Sequence, residues 1–313
     1  MEKQDKIYVA GHQGLVGSAI LRQLQNRGFG KIITKSRSEL DLTFQEQVRL
    51  FFDEYRPDYV FLSAGKTGGV YANDTYRAEF FYENISIQTN IIHQAYLHEV
   101  KKFIFYGCSS MYPKFSPQPM KEEHLLSGYP EPTNEPFAVA KIAGLKMCES
   151  YNRQYGTDFI SVMPTNIYGP NQNYDSMNSL VVPALIRRFH EAKQVNAKEV
   201  IIWGTGRPSR DFLFVDDLAN ASIFLMEQSL GDDVFNIASG CDYTIADLAE
   251  IIKEVVGFEG DIVFDVSKPE GVLVKLQDIN KISELGWKYS VDLKDGIQRT
   301  YDDVQSKGPI SYW

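Results

Sequence analysis

The chain has 313 residues, 43% of them hydrophobic, with a formal net charge of −9 and three cysteines. That length can bury one large core or two coupled ones, and the acidic balance, with no basic stripe, argues against a nucleic-acid partner. Cys108, Cys148 and Cys241 are odd in number and lack metal-ligand spacing, and the five histidines form no H-E-x-x-H-type cluster, so neither a disulfide framework nor a metal site is expected. The charged N-terminus runs directly into a strand pattern and no apolar run reaches transmembrane length. A cytoplasmic protein with no membrane partner is therefore expected.

In chain order, residues 6–10 read as a buried strand and 16–27 as a helix that ends at Gly28. Residues 31–34 and 45–55 give the next strand and helix. A third strand at 59–63 leads to a loop holding Gly65, Gly68 and Gly69. A long helical pattern fills 79–98, then come a strand at 102–106, a second long helix at 136–155 and a strand at 159–163. This alternation predicts an α/β fold, a Rossmann-type doubly wound parallel sheet with helices on both faces. The second half is less regular. A loop rich in Asn, Gln, Asp and Ser (169–179) precedes a helix at 183–192, a strand at 200–203, a Gly/Pro turn at 204–208 and a strand at 211–215. Asp216 and Asp217 open a helix ending near Gln228, and a helix at 245–256, a strand at 261–265 and a short C-terminal helix follow. The expected organisation is a dinucleotide-binding domain over 1–168, with a segment near 210–240 returning to it. A smaller mixed α/β substrate domain over 169–313 grows from the end of the sheet.

The first strand passes into the first helix through Gly11, His12, Gln13, Gly14, Leu15, Val16 and Gly17, a G-x-x-G-x-x-G spacing. Glycines let the backbone turn tightly and approach a pyrophosphate, while the helix N-terminus offers free N–H groups. The strand–turn–helix setting is what raises this above a chance glycine triplet; a turn of packing glycines is the alternative. An NAD enzyme places an acid at the end of the second strand. Here Lys35, Ser36 and Arg37 stand there, and no acid comes before Glu39. Lys35 and Arg37 suit a ribose 2′-phosphate, which points to NADP(H); a solvated basic face is the competing reading. Ala64, Pro164, Asn166 and Ile167 lie at predicted strand ends, where ligands of open α/β sheets gather, and complete the cofactor candidates of this region.

Several longer runs carry a family resemblance. The glycine turn, Lys66-Thr-Gly-Gly69, Met111-Tyr-Pro-Lys114, Glu131-Pro-Thr-Asn-Glu-Pro136, Ala140-Lys-Ile-Ala-Gly144, Cys148 to Gly156 and Met163-Pro-Thr-Asn-Ile-Tyr-Gly-Pro170 resemble GDP-L-fucose synthases, a branch of the extended short-chain dehydrogenase/reductases. The similarity covers almost the whole chain. It implies a GDP-linked 4-keto sugar as substrate, NADPH as cofactor, and a homodimer formed through the two long helices.

The resemblance also exposes four departures. Such reductases protonate the new alkoxide from the tyrosine of a Y-x-x-x-K pair, in which a spacing of four puts both groups on one helix face. Here Lys141, which the resemblance assigns to the nicotinamide ribose of the cofactor, is present, but Phe137 holds the tyrosine position and has no proton to give. The Ser/Thr that polarises the carbonyl matches Cys108, a weaker donor, or Ser109 if the register slips by one. Of the acid–base pair that epimerises C3 and C5, the cysteine position matches Ser110 and the histidine position Leu180. Leucine exchanges no protons, and an unactivated serine titrates far too high. Toward the substrate, Arg188 and Arg210 match diphosphate or sugar positions and suit phosphate through their forked donors; each could equally be a surface ion pair. Trp203 matches a position near guanine or sugar, Asn166 follows a strand end, and Lys275 adds charge.

The reading that follows is NADPH-dependent C4 reduction of a GDP-4-keto-hexose or GDP-4-keto-heptose without 3,5-epimerase activity. Three others stay open: a non-catalytic binder of NADP(H) and nucleotide sugar, an active reductase altered from Tyr to Phe at 137, and a bifunctional GDP-L-fucose synthase. Tyr112, Cys108, Ser109 or water are the candidates to replace the missing donor.

Overall fold

The computed structural model describes residues 1–175, 179–228, 230, 233–268 and 271–307; positions 176–178 of the polar loop expected at 169–179 lie outside them. The first half runs β1 (Ile7–Ala10), α1 (Leu15–Asn26), β2 (Ile32–Ile33), α2 (Gln45–Tyr55), β3 (Tyr59–Leu62), α3 (Val70–Thr75), α4 (Arg77–Leu97), β4 (Lys102–Tyr106), α5 (Glu135–Tyr155) and β5 (Phe159–Pro164). Then come β6 (Asn166–Tyr168), α6 (Val181–Gln194), β7 (Glu199–Trp203), β8 (Ser209–Phe214), α7 (Val215–Met226), β9 (Val234–Ile237), β10 (Asp242–Thr244), α8 (Ile245–Val256), β11 (Asp261–Asp265), β12 (Val274–Lys275), α9 (Asn280–Glu284) and α10 (Leu293–Ser306).

Six parallel strands form the main sheet in the order β2-β1-β3-β4-β5-β9. Helices cover both faces, so the inner strands are buried on both sides and read as apolar runs rather than alternating ones. On one face, Ala19, Ile20 and Leu24 of α1 pack with Leu218, Ala221 and Leu225 of α7. On the other, Phe52 of α2, Ile91 and Ile92 of α4 and Leu145 of α5 share a core with Tyr8, Val60 and Phe105. A third core joins α6, α8 and α10, through Ile186, Phe189, Ile252 and Ile297, with Val200 and Ile202 of β7. Two small sheets border it: β10-β8-β12 with β6 on β8, and β7 with β11.

Two buried carboxylates fasten these units. Asp211 of β8 accepts from Ser239 N–H, Ser239 Oγ and Gly240 N–H just beyond β9, at 3.1, 2.7 and 2.9 Å. Burial pushes its carboxyl up to about 6 despite those donors. Asp217 of α7 accepts from Ser290 and Val291 ahead of α10.

Six elements escaped the pattern reading: α3, β6, β9, β10, β12 and α9. Strands of two to four residues are too short to show a period. The C-terminal helix, expected to be short, is 14 residues long. Its buried Leu293, Ile297, Thr300, Tyr301 and Val304 keep helical spacing, but the polar outer face dilutes the signal.

Candidate active site

The glycine turn is closed tightly against the next strand's loop. Gly11 has φ of 84°, and a Cβ there would stand 2.7 Å from the Ala64 nitrogen. A Cβ at Gly17 would fall 2.2 Å from the Gly11 oxygen, so both positions exclude a side chain. Gly14 N–H donates to Gly11 O at 3.0 Å, and Gly14 caps α1 in an extended conformation. The first-turn N–H groups at Leu15 and Val16 therefore face away from any intrahelical acceptor. Beside them, His12 Nδ1 is buried without a partner among the described residues. Gln13 sits exposed at the tip. A narrow, donor-rich cradle, in which a Cβ at Gly14 would meet only the Gly11 oxygen at 3.5 Å, fits a pyrophosphate.

At the end of β2 the charged groups divide. Lys35 lies over the Tyr55 ring, 4.8 Å from its centroid, on the α2 side. Arg37 is exposed and reaches Glu83 at 3.3 Å and Asp41 at 3.7 Å. Ser36 N–H and Oγ both donate to Glu39, at 2.8 and 2.6 Å, and those bonds hold the Glu39 carboxyl below its ordinary range. The sequence reading stopped short of this acid, which a tight turn folds back onto the strand end. Glu83 of α4 also pairs with Lys66 at 2.8 Å, which links the strand end to the Lys66-Thr-Gly-Gly69 loop.

Lys141 projects from α5 toward β4. Its ammonium donates to Tyr106 O at 3.0 Å and lies 5.1 and 6.0 Å from the ring centroids of Phe105 and Phe137. Burial pushes this amine down to about 8, and the neighbouring Cys108 opposes that shift. The Phe137 ring stacks edge-on against Phe80 at 6.1 Å. Ser109, Ser110 and Met111 form a single 3₁₀ turn after β4, with Cys108 capping it. Ser109 is buried. Burial pushes the Cys108 thiol up, while the charges of Lys141 and Lys275 and hydrogen bonds with Ser110 pull it back. Tyr112, one of the four candidates for the missing donor, is committed elsewhere. Its hydroxyl donates to Asn236 Oδ1 at 2.6 Å inside the core, and burial raises it far above its ordinary value.

Asn166, Ile167, Leu180 and Arg210 line one cavity of about 250 Å³, with Val182 and Pro183 of α6. The Asn166 amide donates to the Asp211 carbonyl at 2.8 Å, which fixes its direction. Pro164 ends β5 immediately before, and Thr165 ties it to β9 and β8. Arg210 is half-buried, its guanidinium bound to the carbonyls of Ser209 and Val272 at 2.7 and 2.9 Å. Leu180 is 47% exposed at the N-cap of α6. Arg188 and Trp203 stand apart from this cavity. Arg188 donates to Ile201 O of β7 at 2.7 Å, and the exposed Trp203 ring has Lys268 5.7 Å away. Among the described residues no His, Cys, Asp and Glu cluster is placed to hold a metal, and no helix is long and apolar enough to cross a membrane.

Comparison with known proteins agrees with this architecture. The model of the NAD dependent epimerase/dehydratase family matches residues 7–238. GDP-L-fucose synthase 1 of Arabidopsis thaliana is 55% identical over 301 residues, which cover 96% of this chain and 93% of that protein. Among solved structures, a GDP-6-OMe-4-keto-L-xylo-heptose reductase from C. jejuni gives a TM-score of 0.93 at 41% identity, over 98% of this chain and 99% of that one. A GDP-mannoheptose C4 reductase from Campylobacter jejuni, solved with NADP bound, gives 0.91 at 43% identity, over 97% and 99%. With its parallel sheet, its glycine turn and these relatives, the chain belongs to the NAD dependent epimerase/dehydratase family, as a GDP-L-fucose synthase-like member.

Proposed function

We propose that this protein is an NADPH-dependent reductase of the C4 carbonyl of a GDP-4-keto-hexose or GDP-4-keto-heptose, and that it does not epimerise C3 or C5. The observation that carries the second half is Leu180. It lines the cavity with Asn166 and Arg210, at the position where, by the family resemblance, an epimerase carries a group that exchanges protons, and its partner position holds Ser110. An enzyme acting upstream then supplies the sugar already in its final configuration at C3 and C5.

The roles proposed for the residues combine the family resemblance with where each side chain lies. Gly11, Gln13, Gly14, Leu15, Val16 and Gly17 cradle the pyrophosphate, with Ala64 against the turn, while Ser36 and Arg37 hold the 2′-phosphate and Lys35 adds long-range charge. Pro164, Asn166 and Ile167 wall the site at the carboxyl ends of the strands. When bound, NADPH supplies the hydride. Lys141 exchanges the Tyr106 carbonyl for the nicotinamide ribose, and Cys108 or Ser109 orients the ketone. Arg210 and Arg188 take the diphosphate and Trp203 the base. The half-buried guanidinium of Arg210 is held through Nη1 by two carbonyls, which fixes its direction and leaves Nη2 and Nε for an anion. Residues 1–168 with the β9 strand serve the cofactor, and the rest mainly the sugar nucleotide. The exposed Phe81 and Tyr82 of α4 and Val139 of α5 suit pairing with a second copy. A cytoplasmic site of action fits a nucleotide-sugar substrate.

The test is turnover in heavy water with a pre-epimerised GDP-4-keto sugar and with one not yet epimerised. NADPH oxidation with the first, without deuterium at C3 or C5 of either, is expected. Deuterium at those carbons would return the protein to the bifunctional synthases. Phe137 favours a second reading, a non-catalytic binder, which predicts cofactor affinity but no NADPH oxidation.

A further inference from the structure

We propose that Asn236 is a positioning residue for the reduction; the proposal rests on the reductase reading above. Through Tyr112 it holds the turn that carries Cys108, Ser109 and Ser110, and through Gln277 it holds the segment that sets Arg210. It thereby fixes the carbonyl-orienting groups and the nucleotide contacts relative to one another.

Asn236 is an amide in an otherwise apolar strand, β9, the last of the main sheet. Phe235 and Ile237 on either side face the core beneath α1 and α7, so alternation turns Asn236 to the opposite face. It is fully buried there, which is costly unless its polar atoms are met. Oδ1 accepts from the Tyr112 hydroxyl at 2.6 Å and from Gln277 Nε2 at 2.8 Å. Nδ2 donates to Met120 O at 2.9 Å and to Asp278 O at 3.0 Å. The backbone N–H of Asn236 donates to Glu122 Oε1 at 2.8 Å. Both donors and both acceptor sites of one amide are therefore used, on two distant segments, 112–122 and 277–278. A leucine of similar size would leave Tyr112, Gln277 and two carbonyls short of a partner.

The first arm ends at the turn. Tyr112 closes the 3₁₀ turn Ser109–Met111, its N–H donating to Ser109 O. Its buried ring reaches back to Asn236, so the phenol is a strut between the sheet and the turn. The second arm ends at Arg210. Gln277 also donates to Met163 O of β5 at 2.8 Å. Its neighbours Leu276 and Asp278 exchange backbone bonds with Met120, at 2.7 and 2.8 Å. Just before them β12 pairs Val274 with Ser209 and Lys275 with Arg210, and the Val272 carbonyl accepts from the Arg210 guanidinium at 2.9 Å. Neither the turn nor β12 belongs to the main sheet, so the sheet's own ladder fixes neither. Asn236 is the point on the sheet to which both are tied. Hydride transfer needs the reacting atoms held closely, and a misplacement of about 1 Å can cost roughly 10²-fold.

Each arm can be cut by itself. Tyr112→Phe removes the hydroxyl and keeps the ring, and Gln277→Met removes the amide and keeps the length. The readouts are kcat and KM for a GDP-4-keto sugar, counted per site that binds GDP in calorimetry, and the Kd for GDP itself. Counting per GDP-binding site removes any loss due to misfolded protein. Tyr112→Phe is expected to lower kcat by roughly 10-fold to 10²-fold, with KM and the Kd for GDP little changed. Gln277→Met is expected to raise KM and the Kd for GDP by roughly 10-fold, the effect of one buried hydrogen bond, with kcat little changed. Asn236→Leu is expected to show both losses. If wild type turns over and both single-arm variants keep its kcat, KM and Kd while melting at lower temperature, Asn236 serves packing alone and this proposal falls by itself. A variant that moves kcat and KM together also overturns it, since the two arms would then not be separate. If wild type oxidises no NADPH with any GDP-4-keto sugar, the reductase reading falls and takes this proposal with it.

Discussion

Replacing Lys141 by methionine should stabilise the cofactor-free protein while abolishing its turnover. The Lys141 side chain is buried, and its ammonium has a single hydrogen bond, to Tyr106 O. Burial takes the amine from 10.5 to about 8. Each tenfold of lost proton affinity is worth about 1.4 kcal/mol, so the folded state is weaker by about 3 kcal/mol at neutral pH. Methionine keeps the packing but leaves the Tyr106 carbonyl without its donor, which costs about 1 kcal/mol. The net gain is about 2 kcal/mol. With an unfolding entropy of roughly 2 cal/mol/K per residue, this raises Tm by about 3 °C in a chain of this length. The sign with pH is fixed by linkage. The folded value lies below the unfolded one, so the penalty is complete below about 8, where both states hold the proton, and disappears as pH rises through 10.5. Thermal unfolding of wild type and Lys141→Met, without cofactor, should show a gap that closes over that window. A variant that melts below wild type at neutral pH, or a gap that ignores pH, would refute the reasoning that this lysine is held at the site against stability.

Two further outcomes bear on the cofactor side. Phe137→Tyr places a phenol on the face that Lys141 already approaches, so kcat should rise by roughly 10²-fold or more, the worth of a general acid; an unchanged rate with cofactor affinity intact would mean that the ring lies away from O4. Arg37→Gln should raise KM for NADPH by roughly 10-fold to 100-fold, the worth of a charged hydrogen bond, and leave that for NADH nearly unchanged. Equal effects on both cofactors would show that Arg37 serves only its ion pairs with Glu83 and Asp41.

Much of the architecture was legible because it follows local rules. The strands at 102–106 and 261–265 and the helices at 45–55 and 245–256 have the bounds that periodicity and flanking turn residues indicate. The glycine turn was legible because tight turns and close backbone approach admit few other residues, and both Gly11 and Gly17 prove to have no room for a Cβ. The same locality failed at the strand end. Glu39 counts as distant along the chain, yet one turn brings its carboxylate onto Ser36.

By itself the sequence determined that this is a parallel α/β chain with a dinucleotide turn, and that a phenylalanine stands where a proton donor is expected. Only the tertiary structure decided what surrounds that phenylalanine. Tyr112 is withdrawn by Asn236, Lys141 is drawn onto Tyr106, and Lys275 is set beside Arg210 by the pairing of β12 with β8. The reason is physical: hydrogen-bond partners and desolvation arise from contacts between segments far apart in the chain, and these decide which buried group holds a proton ready to give.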